Sequence, residues 1–271
     1  MKIAYFDCFS GVSGDMCLGA LISAGLDFSL LKQELTKLSL TGYDLRWEKV
    51  TRNGISAANV YVEVQEAHQP ARGITDILHI IEESMLPAGV KEQSKAVFNR
   101  LAAAEAKVHD LPVEEVHFHE VGAVDAIVDV VGTVLGLHLL AVDKVYASPL
   151  PMGKGFIKCM HGLIPSPAPA VLEVLQDVPI YGTGIEEELV TPTGAALLAV
   201  LADAFVNLPA LRVQRTGYGV GKKVLAHPNL LRIILGEEGI TKGLKFANGQ
   251  GDASHKHRPG HSHNPGHDHH K

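Results

Sequence analysis

The sequence predicts an α/β or mixed α+β body, a sheet with flanking helices, followed by a disordered His-rich C-terminal tail. Three observations predict it. Short apolar runs such as KIAYFD (2–7) and LLRIILGE (230–237) alternate with segments of helical period. Asn53-Gly54 interrupts two alternating runs across 43–64, the signature of an antiparallel hairpin. Past Gly239 the composition changes, and residues 247–271 hold no aliphatic residue except alanine. Such a segment cannot bury enough apolar surface to offset its ordering entropy. The expected division is a body over 1–240 and a tail over 241–271.

The elements follow in order. KIAYFD reads as a buried strand, the Gly/Ser turn SGVSGD follows, and a helix runs from Met16 to Ala24. A second helix covers Ser29–Leu38, and then comes the 43–64 hairpin. Thr75-Asp76 precedes the short helix ILHIIEES, which ends before Pro87. KEQSKAVFNRLAAAEAKV (91–108) is amphipathic, with Val97, Leu101, Ala104 and Val108 on one face. A strand at about 144–148 leads into a Pro/Gly-rich segment from Ser148 to Pro169. A helix over 168–176, the strand VPIYG, a helix opened by Thr191-Pro192-Thr193-Gly194, and the strands LRVQRTG and LLRIILGE complete the body. There is no internal repeat.

Composition narrows the function. With 271 residues, 46% apolar and 20% charged, the chain reads as a soluble globular protein. No apolar run approaches the roughly 18 residues of a membrane span, and MKIAYFDCFSG lacks the long apolar core of a signal peptide. Three cysteines, an odd number without framework spacing, point to a reducing cytoplasm. The formal charge of −6 hides an asymmetry: from Thr241 onward five Lys/Arg face two Asp, a balance of +3, so the body carries −9. An acidic body argues against nucleic-acid binding.

Five stretches carry chemistry. The tail holds seven histidines, His255, His257, His261, His263, His267, His269 and His270. Imidazoles repeated along a flexible Gly/Pro chain chelate Ni, Zn or Cu without strain. HFHEVGAVDAIVDVVG (117–132) puts His117 and His119 on one face of a strand and Glu120 on the other. A helix from about Ala123 then places Asp125 and Asp129 on one side. Hydrogen-bonded partners at a strand–helix corner explain this stretch as well as a metal site does. In DCFSGVSGDM (7–16), Asp7, Ser10, Ser13 and Asp15 offer oxygens before a helix and suit a phosphate or a hydrated cation. It is not a Walker loop, because no Lys-Ser/Thr follows the glycines; a capped tight turn is the alternative. Cys159 and His161 stand two apart, close enough to share a soft metal or simply to occupy a proline-rich loop. Thr191 caps a helix with Pro192 at its first position, which accounts for ELVTPTGAAL.

Taken together, FDCFSGVSGDM, HFHEVGAVDAIVDVVG, HGLIPSPAPA, ELVTPTGAAL, GYGVG (217–221) and PNLLRIILGE (228–237) resemble, in this order, the nickel-insertion proteins of the lactate racemase system, LarC. The resemblance covers residue 1 to about 238. It implies insertion of nickel into pyridinium bisthiocarboxylic acid mononucleotide, giving the nickel-pincer cofactor of lactate racemase. It also implies consumption of CTP, released as CMP and diphosphate, with Mn or Mg. Family members continue into a second domain with an ETNIDDM-type motif, where the resemblance puts nucleotide binding; no such motif occurs in these 271 residues. The expectation is an N-terminal portion that works with a C-terminal partner subunit or a frameshift-extended product and serves the lactate racemase apoprotein through the cofactor. Two further readings stand beside it: a non-catalytic nickel store acting through the tail, and a zinc or magnesium phosphohydrolase built on Asp7, Asp15 and the histidines.

Overall fold

The computed structural model describes residues 1–64, 72–116, 118, 123–160 and 162–239. The chain divides into a body, Met1–Ile240, and a second unit, Thr241–Lys271. The second unit lies outside the described residues, and the tail histidines with it.

The body is a mixed sheet with helices. Its strands are β1 (Lys2–Asp7), β2 (Tyr43–Arg52), β3 (Ile55–Val64), β4 (Lys144–Ala147), β5 (Leu150–Met152), β6 (Phe156–Cys159), β7 (Gly162–Pro165), β8 (Ile180–Gly182), β9 (Ala204–Phe205), β10 (Leu211–Val220) and β11 (Leu230–Glu238). The helices are α1 (Gly14–Ser23), α2 (Phe28–Leu35), α3 (Ile74–Glu82), α4 (Ala88–His109), α5 (Val124–Leu139), α6 (Pro169–Val174) and α7 (Pro192–Leu201). Seven strands form one sheet in the order β2-β3-β10-β11-β1-β4-β9, while β5 pairs with β8 and β6 with β7. The α/β or mixed α+β expectation holds: β1–β4, β4–β9 and β3–β10 are parallel, and β2–β3, β10–β11 and β1–β11 are antiparallel.

Local chemistry sets the element ends. Asn53 and Gly54 take positive φ, 48° and 80°, as the two-residue turn between β2 and β3 requires. The Asp27 carboxylate accepts hydrogen bonds from the Ser29 and Leu30 amides and so starts α2. Pro87 precedes α4, and Asp110 ends it in the left-handed region.

One face of the sheet is covered. Ala4 and Phe6 of β1 and Leu231, Ile233 and Leu235 of β11 join one continuous apolar core with residues of α1, α4 and α5. Alternation turns Asp7 to the other face, beside its cross-strand partner Arg232. Two expectations fail. The Pro/Gly-rich Ser148–Pro169 segment, to which the sequence assigns no strand, contains β5, β6 and β7, each too short to show a period. Val108, placed on the buried face of its helix, is 37% exposed because that last turn borders a cavity rather than the core. Among the described residues no helix is long and apolar enough to cross a membrane.

Candidate functional site

The turn from β1 into α1 is built by close backbone approach. Gly11 has φ +110°, and a Cβ there would lie 1.9 Å from the Leu189 carbonyl oxygen. Only glycine fits both the conformation and the gap. The neighbouring amides lace the turn to the 188–194 stretch: Val12 N–H donates to Leu189 O at 2.9 Å and Thr191 N–H donates to Val12 O at 3.1 Å. Thr191 Oγ1 accepts from Gly194 N–H at 3.2 Å, the cap expected from TPTG. A Cβ on Gly194 would meet Val12 O at 2.4 Å.

The same logic brings in two more blocks. Helix α1 lies directly on β10, where Cβ atoms at Gly217 and Gly219 would fall 2.1 Å from Ala20 O and 1.8 Å from Met16 O. Gly14, the first residue of α1, faces Asp129 of α5, whose Cβ a side chain would meet at 2.6 Å. Four stretches far apart in sequence thus meet at the N-terminus of α1: 7–16, 125–129, 188–194 and 217–223.

The polar groups at this seam are mutually engaged. Ser13 Oγ donates to Asp15 Oδ1, which also accepts from Met16 N–H at 2.9 Å. Lys222 Nζ stands 3.2 Å from Asp15 Oδ2. Asp129 is partly exposed as a residue, but its Oδ1 is enclosed and has no hydrogen-bond partner. Burial, and then the negative charges of Asp15 and Asp125, push its carboxyl well above the usual range, with Lys222 opposing. Lys222 is pushed up in turn, chiefly by Asp15. Asp125, one turn before Asp129, is exposed.

The structure brings Ser13 and Asp15 together and separates them from the other two residues of that turn. Asp7 accepts from Arg232 Nε at 2.9 Å and from a terminal guanidinium nitrogen of the same residue, on the opposite face of the sheet. Ser10, 1% exposed, shares a 2.8 Å hydrogen bond with His227 Nε2. The partners Lys222, His227 and Arg232 escaped the sequence reading, although two lysines directly after GYGVG were a signal. His117, His119 and Glu120 lie outside the described residues, as does His161. Cys159 is a half-buried free thiol at the end of β6. Among the described residues no group of three or more His, Cys, Asp or Glu is arranged to hold a metal ion.

These glycine-laced blocks are the ones on which the resemblance rests, and the comparison with known proteins decides it. Residues 4–258 match the family described as nickel insertion protein. The chain belongs to that family. A pyridinium-3,5-bisthiocarboxylic acid mononucleotide nickel insertion protein of Desulfitobacterium hafniense is 52% identical over 251 residues, covering 90% of this chain and 62% of the relative. Proteins of the same name from Geobacillus kaustophilus and Acetivibrio thermocellus are 46% and 47% identical, covering 88% and 87% of this chain and 60% of each relative. The chain therefore spans about three fifths of the length of these relatives. No solved structure matches it.

Proposed function

We propose that this chain handles nickel and the organic precursor in the insertion of nickel into pyridinium-3,5-bisthiocarboxylic acid mononucleotide, the step that yields the nickel-pincer cofactor of lactate racemase. Family membership across 4–258 supports this reading most. In it, His117, His119 and Glu120 hold nickel as cargo, and the tail histidines store it, since neutral imidazole is a good nickel ligand. The Ser13–Asp15–Lys222 cluster fixes the N-terminus of α1 against α5, the helix that follows His117, His119 and Glu120 in sequence. The resemblance also implies CTP with Mn or Mg. Among the described residues no three or more His, Cys, Asp or Glu are grouped to hold a divalent ion. We assign it instead to the remaining length of the relatives, acting as a partner subunit or an extended product. The three free cysteines suit a cytoplasmic protein.

The test supplies nickel, CTP with Mn or Mg, and the precursor to the 271-residue chain, alone and with the remaining portion of a full-length relative. Activation of lactate racemase apoprotein is the readout. Activity is expected only with the added portion; activity from the chain alone would show the nucleotide site to be misplaced. His117→Ala with His119→Ala should lower activity at least about tenfold with an unchanged melt, and full activity would remove the two histidines from the nickel path. The storage reading is favoured by the seven tail histidines. It predicts that truncation after residue 246 abolishes most nickel binding, measured by equilibrium dialysis, and retention of all bound nickel rules it out.

A further inference from the structure

Residues 221–229, GKKVLAHPN, leave the sheet at the end of β10 and return to it at the start of β11. The two ends are firmly held. Val220 and Leu230 are buried, and Gly221 N–H donates to Asn229 O at 3.0 Å. A Cβ on Gly221 would lie 2.5 Å from the Asn229 side chain, so glycine lets the ends close. Asn229 Nδ2 also donates to Lys223 O at 3.0 Å, inside the loop. A loop with joined ends is a compact unit rather than a loose linker.

Between its ends the loop lacks an apolar anchor. None of its side chains joins either apolar cluster of the body, and Val224 is 96% exposed. Among the described residues, three side-chain contacts tie it to the rest of the body. Lys222 Nζ stands 3.2 Å from Asp15 Oδ2, Lys223 Nζ stands 3.0 Å from Glu187 Oε2, and His227 Nε2 shares a 2.8 Å hydrogen bond with Ser10 Oγ. Both lysine side chains are more than half exposed. Ion pairs so placed contribute little and weaken in salt. A segment held this way opens locally well before the sheet does.

One of the three contacts borders a cavity. A space of about 510 Å³ lies between the last turn of α4, the β6–β7 hairpin, the start of α6 and the 187–192 stretch. Lys223 and Glu187 both line it, so their ion pair bars one side. Cys159 lines it too, on the less exposed face of β6 with Ile157. We propose that residues 221–229 are a strap over this cavity, with the Lys223–Glu187 pair as its latch. Breaking the pair lifts the strap about its Gly221–Asn229 base and admits small solutes to the cavity. Lys222, the next residue along, holds Asp15, so the same strap ties access to the cavity to the N-terminus of α1.

The test is the rate at which iodoacetamide, a small uncharged reagent, alkylates Cys159 in the full 271-residue chain, read by peptide mass spectrometry. Cys8 and Cys17 are fully buried and report unfolding in the same spectra. Lys223→Ala should speed alkylation of Cys159 about threefold or more, with Cys8 and Cys17 unmodified and the melting temperature unchanged. Removing a neighbouring cation by itself slows a thiol, so a faster reaction reports access. Salt raised from about 0.05 M to about 1 M should speed the wild type likewise and leave Lys223→Ala unaffected. In the wild type, amides 222–227 should exchange hydrogen about a hundredfold or more faster than those of β10 and β11. Equal alkylation of Cys159 in the wild type and Lys223→Ala, or alkylation of Cys8 and Cys17 in step with it, overturns the latch. Strap amides as protected as those of the strands overturn the strap itself.

Discussion

The seam at the N-terminus of α1 and the β6–β7 hairpin use glycine in opposite ways. Cβ atoms at Gly217 and Gly219 would collide with helix carbonyls at 2.1 and 1.8 Å, whereas Gly155 and Gly162 have nothing within 4 Å and instead share a φ of +89°. At the seam glycine makes room for another backbone; at the hairpin it only turns the chain. A run of glycines in sequence therefore carries two meanings, and only the neighbours in space separate them. The seam is a packed joint, and the hairpin beside it presents loosely covered apolar surface to a cavity.

Gly219 is the most sensitive of these positions. Gly219→Ala should destabilise the body by about 3 kcal/mol or more in a denaturant melt, since backbone rather than a flexible side chain blocks the methyl group. A loss under about 1 kcal/mol would mean that α1 does not lie on β10 as described.

Asp129 gives the next largest effect. The folded body holds a proton on this carboxyl that the unfolded chain releases near pH 4. The wild type therefore binds more protons when folded, and its stability falls as pH rises from about 4 toward the raised folded value. Asp129→Asn cannot titrate. Its stability relative to the wild type should improve by more than about 1 kcal/mol between pH 4 and pH 8. A flat difference in urea melts across that range would return Asp129 to an ordinary ionised carboxylate.

Two positions should respond weakly. Lys222 is 77% exposed, so Lys222→Ala should cost less than about 1 kcal/mol, with the loss shrinking in high salt. Gly182, on β8, has open space and an ordinary φ. Gly182→Ala should stay within about 0.5 kcal/mol of the wild type by thermal melt, the counterpart of Gly219→Ala.

Much of this fold was legible wherever a local rule sufficed. The Asn53-Gly54 turn, the Thr191 cap and the closing strands were readable because turn, cap and strand preferences act over a few residues. Helix α1 begins at Gly14 rather than Met16, because packing against Asp129 outweighs the poor helix propensity of glycine. The strands β5, β6 and β7 were not legible: with three or four residues each, they are stabilised by partners rather than by pattern. The candidate site was legible as motifs but not as a meeting point. Ser13 and Asp15 were singled out, yet Lys222 joins them only through the fold, and Asp7, two residues from Phe9, turns to the far face by simple alternation. Phe118, Lys223 and the β6 pair Phe156 and Lys158 line one cavity from three segments far apart in the chain.

The middle of the sheet has one further consequence. Residue 2 pairs with residue 237, and β11 lies between β10 and β1, so the last strand of the body joins its two halves. During synthesis the first strand waits for almost the whole body to be made before its antiparallel neighbour exists. Contacts this distant along the chain slow folding and leave apolar edges uncovered meanwhile. A nascent chain halted short of residue 230 would therefore carry every residue of the α1 seam but lack the strand that joins β10 to β1.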